Sequence, residues 1–559
     1  MGRNVAIGIQ DFSTIIEKNC FYVDKTSFIK EWWGSMDSVT LITRPRRFGK
    51  TLTMSMVEQF FSIRYAGRAD LFEGLTVWED EEYRMLQGTY PVISLSFANI
   101  KETNYPLTIR RICELLKKVF EQFSFLRDCE LLSEAERKYY VRMTDEMGEE
   151  DAPSALYQLS DFLYRYYGKK IIILLDEYDT PMQEAYVNGY WEQLVAFTRS
   201  MFNSTFKTNL WLERAIMTGI TRVSKESIFS DLNHLKVVTT TSPEYADCFG
   251  FTEEEVFAGM EECGLTDKTM VKLWYDGFIF GEKRDIYNPW SILNYFDTGI
   301  LTTYWANTSS NGLVGKLIRE GGPEIKEIMK DLLEGKSFCT ELDEQIVFNQ
   351  LDNRTDAIWS LLLASGYLKV MRYELEPSIG RPEYELALTN MEVRLMFENM
   401  IDCWFKKFTP AYNHFVKALL QGDRKAMNAY MNRVALQTFS YFDTGKIPSF
   451  EEPERFYHGF VLGLLVDLKG RYVIQSNRES GFGRYDVILE PLKKEDDAFV
   501  LEFKVHDSED EKDLADTVKA ALKQVEEKKY EEVLLAKGIS SERIHKYGFA
   551  FKGKQVLIG

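Results

Sequence analysis

Four short apolar runs between residues 39 and 219 constrain this chain most: V-T-L-I-T at 39–43, Y-P-V-I-S-L-S-F at 90–97, K-I-I-I-L-L-D at 170–176 and R-A-I-M-T-G at 214–219. They are rich in β-branched residues, none alternates polar with apolar, and amphipathic stretches of helical length separate them. A strand that is apolar on both sides needs cover on both sides, which helical crossovers supply, so the pattern predicts an α/β fold built on a parallel sheet. The stretch 184–205 predicts one covering helix, and residues 1–35 a helical lead-in.

At 559 residues the chain exceeds what one core supports. Three parts are expected: 1–310, 311–445 and 454–559. In the middle part, I-W-S-L-L-L-A-S-G-Y-L-K-V-M-R-Y-E followed by Y-E-L-A-L-T-N reads as helix, strand, turn, strand, a winged-helix-like outline, with helices over 391–440. G-K-I-P-S-F-E-E-P at 445–453 reads as a linker because glycine, proline and charge cluster there. The last part reads helix, strand, strand, helix, strand.

No stretch approaches the roughly 18–20 apolar residues that span a bilayer, and the first residues lack the apolar segment of a secretory signal. The expectation is a cytoplasmic protein without a membrane partner. The seven cysteines contain no C-x-x-C pair and the five histidines no metal-ligand spacing, which argues against a disulfide framework and against zinc. A net charge of −18 argues against a module that simply coats nucleic acid. It leaves room for an enzyme whose basic groove is local.

Directly after the first run comes R-P-R-R-F-G-K-T-L-T-M. Gly49, Lys50 and Thr51 then open a helix, the arrangement in which backbone N–H groups cradle phosphates, a lysine reaches the β- and γ-phosphates and a hydroxyl holds magnesium. Arg44 stands where the common pattern has its first glycine, and Pro45, Arg46 and Arg47 make the loop cationic and stiff. The third run delivers Asp176 and Glu177 at its end, an aspartate for magnesium and a glutamate to polarise the attacking water. The fourth ends at Thr218, with Thr221 and Arg222 beyond. A polar residue there senses the γ-phosphate and an arginine stabilises developing charge, although a structural salt bridge accounts equally well for Arg222.

A second cluster lies near the other end. In F-V-L-E-F-K-V side chains alternate, so Glu502 and Lys504 share one strand face while Phe499, Leu501, Phe503 and Val505 share the other. Beside Asp486 of G-R-Y-D-V-I-L, expected to pair with this strand across P-L-K-K-E-D-D, they form a small cation site. Asp486 and Glu502 bind magnesium, and Lys504 orients water or stabilises phosphorane-like charge. Glu454 of the preceding helix is placed to reach the same metal. On the helix that follows, Gln524 and Lys528 share a polar face that either touches the scissile strand or is simply solvated.

These strings resemble a bacterial AAA-ATPase-like family. The likeness is carried by R-P-R-R-F-G-K-T, Y-V-D-K-T at 22–26, L-L-D-E-Y-D at 174–179, T-G-I-T-R-V-S-K-E-S-I-F at 218–229, and Y-D-G-F-I-F-G with Y-N-P-W-S. The C-terminal strings Y-H-G-F, S-N-R-E-S-G-F-G-R-Y-D, E-F-K-V and A-L-K-Q-V-E-E-K-K-Y resemble the PD-(D/E)XK nuclease-superfamily domain usually fused to it. The resemblance implies a P-loop ATPase core, a helical and winged-helix-like middle and a restriction-endonuclease-like α/β end. It implies ATP and Mg2+ as cofactors, with Arg47, Phe48, Gly49, Lys50, Thr51, Leu52, Asp176 and Glu177 as ATP-site positions. Asp486, Glu502 and Lys504 carry over as the nuclease core, joined by Glu454 and Gln524.

The reading is an ATP-hydrolysing protein coupled to magnesium-dependent cleavage of nucleic acid, DNA ahead of RNA, and compatible with a homo-oligomer. The alternative is an ATP-dependent switch or scaffold whose C-terminal domain binds nucleic acid or protein without cutting.

Overall fold

The four apolar runs form strands β1 (Val39–Thr43), β2 (Val92–Ser96), β3 (Ile171–Asp176) and β4 (Leu212–Gly219), joined by a fifth, β5 (Leu235–Val238). All neighbours pair in parallel, in the order β2-β3-β4-β1-β5. Every residue of β1 and β3 is buried, as helices on both sheet faces require. The computed structural model describes residues 3–559 apart from 222–227, 230–231, 306–313, 316, 319–322, 343–354, 376–381, 407–408, 439–451, 466–467, 469–470, 481–482, 494 and 508–510. By contact, the chain divides into Met1–Leu317 with Glu334–Met396, and Ile318–Leu333 with Phe397–Gly559.

Helix α1 (Lys50–Phe61) follows β1 across the glycine-containing loop. The single helix expected over 184–205 is instead two, α2 (Thr180–Asn188) and α3 (Trp191–Phe202). Gly189 takes φ +80° and closes α2; this left-handed conformation ends a helix at little cost only for glycine. The lead-in is helical at Phe12–Glu17 and Ser27–Ser35. Its aromatic side chains Phe12, Phe28 and Trp32 pack with Phe60, Phe61 and Phe72 in the core against α1.

Beyond the sheet, the short strands β6 (Phe251–Thr252), β7 (Phe278–Phe280) and β8 (Lys283–Tyr287) form an antiparallel sheet in the order β6-β8-β7, followed by α4 (Pro289–Thr298). Here Asp276 meets Asp285, with Lys272 between them at 3.8 Å and 3.2 Å. Glu253 and Lys369 also face this cluster. Burial, and behind it Asp285, pushes the Asp276 carboxyl up to about 6, while Asp285, against its own burial, is held down by hydrogen bonds from Lys272 and Asp276. A raised folded value stabilises the protonated group, a contribution lost as pH rises through about 6. The melting temperature of Asp276→Asn should therefore gain on wild type from about pH 5 to about pH 8. A difference independent of pH would contradict this.

The winged-helix-like outline is present as α5 (Thr355–Ala364), β10 (Leu368–Leu375) and β11 (Pro382–Leu388), with one strand more, β9 (Phe338–Glu341), pairing antiparallel to β11. Helices at Met391–Lys406, Thr409–Leu420 and Arg424–Thr438 occupy the expected 391–440. Most of the expected linker at 445–453 lies outside the described residues.

The last part has two strands more than its sequence suggested. Helix α6 (Glu452–Leu465) precedes β12 (Tyr472–Ser480), β13 (Gly483–Pro491) and β14 (Ala498–Val505), and α7 (Leu514–Lys528) leads to β15 (Ile544–Lys552) and β16 (Gln555–Ile558). The mixed sheet runs β12-β13-β14-β15-β16, with β14 and β15 parallel. As expected, β13 pairs antiparallel with β14 (Val487↔Leu501, Leu489↔Phe499). Phe499, Leu501 and Phe503 enter the core shared with Tyr457 and Val461 of α6, whereas Ala498 and Val500 pack with Val525 of α7. The alternation read from the sequence thus assigns each face of β14 its own helical cover.

Candidate functional site

The phosphate loop leaves β1 at Arg44 and enters α1 at Gly49, whose φ of +83° gives the left-handed turn into the helix. Arg44 turns inward. It is fully buried and its guanidinium donates to the carbonyls of Thr43 (3.0 Å), Thr239 (2.6 Å) and Glu244 (3.1 Å), with Phe280 4.6 Å from it. Burial pushes this guanidinium down to about 10, outweighing the opposing pull of Cys248 and the Glu244 carboxylate. The arginine in place of the first glycine therefore ties the loop to the segment after β5.

Arg47 has φ +67° and lays its guanidinium 4.2 Å over Trp290, while the Phe48 ring packs 4.7 Å from Phe278 and 5.4 Å from Phe280. Asn288 caps α4 and donates to the Arg46 carbonyl at 3.3 Å. Arg47 and Phe48 thus brace the loop, and what they offer a phosphate is backbone N–H. Leu52 is half-buried against the α1 core. Removing the Arg44 side chain takes a donor from two buried carbonyls and a half-buried one. Arg44→Ala should cost roughly 3 kcal/mol of stability, read as a lower denaturant midpoint, with Arg44→Lys recovering only part because it lacks the fork.

Lys50, with 3% of its side chain exposed, donates to the carbonyls of Arg44 and Pro45, both at 3.1 Å, and lies 3.3 Å from Glu177 Oε1. Thr51 Oγ1 donates to Asp176 Oδ2 at 2.7 Å, Thr218 Oγ1 to Asp176 Oδ1, and the Glu177 N–H to Thr218 Oγ1 at 3.2 Å. Five of the residues singled out, from the loop and from the ends of β3 and β4, therefore meet at the carboxyl edge of the sheet, where open α/β sheets bind ligands. Burial, then the neighbouring Glu177 charge, raises the Asp176 carboxyl above its ordinary range. A hydroxyl and a carboxylate converging beside a lysine fit a magnesium–triphosphate. Arg222 lies outside the described residues.

Asp179 was not singled out. It is fully buried, and its Oδ2 accepts the N–H groups of Ile220 (3.0 Å) and Thr221 (2.9 Å) and the Thr221 hydroxyl (2.9 Å). It fixes the turn immediately after Thr218. The available signal was an acidic residue three positions after Asp176, just before a helix.

At the second cluster, Glu502 is 2% exposed on the α7 side of β14 and accepts a hydrogen bond from Gln524 Nε2. The same amide lies 3.2 Å from the Tyr530 hydroxyl, a partner that sequence reasoning missed. Lys504 is half-buried, and its side chain makes no hydrogen bond or ion pair among the described residues. The register Val487↔Leu501 carries the strands to Asp486 and Glu502 at the next step. The side chains of Asp486 and Glu454 lie outside the described residues. Lys528 is exposed at the end of α7. A buried glutamate oriented by an amide and followed by a lysine on the same strand face is a donor set that fits a hard divalent cation.

Residues 6–229 match the family described as Predicted AAA-ATPase, and residues 452–559 match the PD-(D/E)XK nuclease superfamily. The chain joins an AAA-ATPase-like domain to a PD-(D/E)XK nuclease-superfamily domain. The five-stranded parallel sheet with its phosphate loop fits the first, and the mixed sheet around β13 and β14 the second. An uncharacterized protein in the vnfD 5′ region of Azotobacter chroococcum mcd 1 is 26% identical over 405 residues, covering 70% of this chain and 68% of that protein. No helix among the described residues is long and apolar enough to cross a membrane.

Proposed function

We propose that this chain is an ATPase whose nucleotide cycle governs magnesium-dependent cleavage of a nucleic-acid phosphodiester, DNA ahead of RNA, in the cytoplasm. The observation that carries the reading is the meeting of Lys50, Thr51, Asp176, Glu177 and Thr218 at one sheet edge in a chain that also holds Glu502 and Lys504 on a strand of the nuclease-superfamily segment, with Gln524 of α7 on Glu502. In this reading Lys50 binds the β- and γ-phosphates and Glu177 accepts a proton from the attacking water. Thr218 keeps Asp176 oriented, with Thr51 and Asp176 as the magnesium ligands. At the other end Glu502 and Asp486 hold the metal, Gln524 fixes Glu502, and Lys504 stabilises charge on the scissile phosphate. Magnesium, when bound, neutralises phosphate oxygens and makes water a better nucleophile.

Charge distribution supports the nucleic-acid assignment. Residues 397–559 hold 25 Lys and Arg against 26 Asp and Glu, a net of −1, so −17 of the chain's −18 falls in residues 1–396. The nuclease end therefore carries little of the repulsion that the total suggests. Lys519, Lys523 and Lys528 are exposed on α7, the helix whose Gln524 touches Glu502.

The test incubates the full chain with labelled single- and double-stranded DNA and with RNA, with and without ATP and magnesium. Magnesium-dependent cleavage that responds to ATP supports the reading. Binding of nucleic acid without cleavage on every substrate, alongside intact ATP hydrolysis, would replace it with the switch whose C-terminal domain binds without cutting.

A further inference from the structure

The first unit contains a cavity of about 40 Å³, lined in part by residues a few positions along the chain from the Lys50–Asp176 cluster. At roughly 10–15 Å³ for each water centre, this is room for about three waters. That is too little for a nucleobase and suited to a single tetrahedral oxyanion. Its near wall comes from the segments that build the nucleotide site: Arg46 of the phosphate loop, Gln183 of α2, which begins shortly after Glu177, and Thr221, three residues past Thr218. Its far wall is Trp305 with Ser365 and Tyr367 of the winged-helix-like part.

The polar groups are already fixed in place. Arg46 Nη2 donates to Gln183 Oε1 at 3.2 Å, and Gln183 Nε2 donates to Asp179 Oδ2 at 3.1 Å. The same Asp179 oxygen receives the Ile220 and Thr221 N–H groups. Asp179 Oδ2 is thus engaged with the chain after β4, its Oδ1 stays buried without a hydrogen-bond partner among the described residues, and Arg46 is the charged residue among those lining the cavity. A guanidinium, an amide and the Ser365 hydroxyl in a small cavity recognise an oxyanion, the guanidinium giving charge and several donors at once.

We propose that this cavity receives inorganic phosphate after it is split from ATP, with Arg46, Gln183 and Ser365 as its ligands. The assignment rests on the ATPase reading and adds a way station between the γ-phosphate position and solvent. Because the far wall belongs to the winged-helix-like part, its occupancy distinguishes, for that part, the state just after hydrolysis from the state after phosphate has left.

The test titrates inorganic phosphate into the full chain at saturating magnesium–ADP, following tryptophan fluorescence, and measures phosphate inhibition of ATP hydrolysis in parallel. A saturable fluorescence change is expected, absent in Trp305→Phe, with phosphate affinity reduced at least tenfold in Gln183→Leu and severalfold in Ser365→Ala. The Gln183 and Ser365 variants keep the test decisive if Trp305→Phe fails to fold. Inhibition noncompetitive with ATP is also expected. Competitive inhibition would put phosphate on Lys50 and overturn the proposal, as would phosphate binding from solution that leaves turnover unchanged. Unaltered phosphate affinity in Gln183→Leu and Ser365→Ala would overturn it too. Magnesium–ADP binding with no phosphate binding would overturn this inference alone, whereas failure to bind ADP would remove the ATPase reading with it.

Discussion

Lys50→Ala should lower ATP turnover by about two to three orders of magnitude while leaving the melting temperature within a few degrees of wild type. Among the described residues the ammonium meets two loop carbonyls and Glu177, and none of these belongs to the apolar core that holds the sheet. Those carbonyls accept hydrogen bonds from water once the ammonium is gone, which limits the stability cost. What disappears is the one cation of the Lys50–Asp176 cluster that can follow charge from the β- to the γ-phosphate. Steady-state hydrolysis and thermal unfolding of the same preparation check both halves. Turnover within tenfold of wild type would mean that phosphate charge is met elsewhere.

The second large effect belongs to the other end of the chain. Lys504→Ala and Glu502→Gln should each reduce magnesium-dependent cleavage by about a hundredfold or more while leaving ATP hydrolysis within about twofold. Glu502→Gln keeps the volume at a buried position and removes one negative charge, so the loss reports on metal binding rather than folding. Lys504, with no ion pair among the described residues, can be truncated without leaving a buried charge unpaired. Cleavage assays beside ATPase assays on both variants separate the sites. Loss of both activities in Lys504→Ala would show that the two ends are not chemically independent.

Strands β1 and β3 were legible because a strand buried on both faces must be apolar throughout, and that pattern has few other meanings. Strand β5 was not, since L-K-V-V is four residues with a lysine, and its identity comes from pairing with β1. The break between α2 and α3 was written locally as Asn188-Gly189, but apolar periodicity on either side concealed it. The same division runs through the sites. Gly49, Lys50 and Thr51 are contiguous and Asp176 ends one strand with Glu177 directly after it, so spacing alone picked them out as candidates.

Asp179 acts on the N–H groups of Ile220 and Thr221, some forty residues away, and Arg44 reaches the carbonyl of Thr239. Those roles exist only once β4 and β5 flank β1. Tyr530 likewise meets Gln524 because α7 ends between them. Residues proposed to touch the ligand are written in short motifs, and residues that hold those motifs rigid are distributed by the sheet order.

The most direct measurement is a calorimetric titration of Mg2+ into the full chain with a non-hydrolysable ATP analogue bound, repeated on Lys50→Ala and Glu502→Gln. Two classes of magnesium site are predicted. The nucleotide-linked class should be lost in Lys50→Ala and the nucleotide-independent class in Glu502→Gln. Magnesium binding unaltered by either substitution would contradict the account.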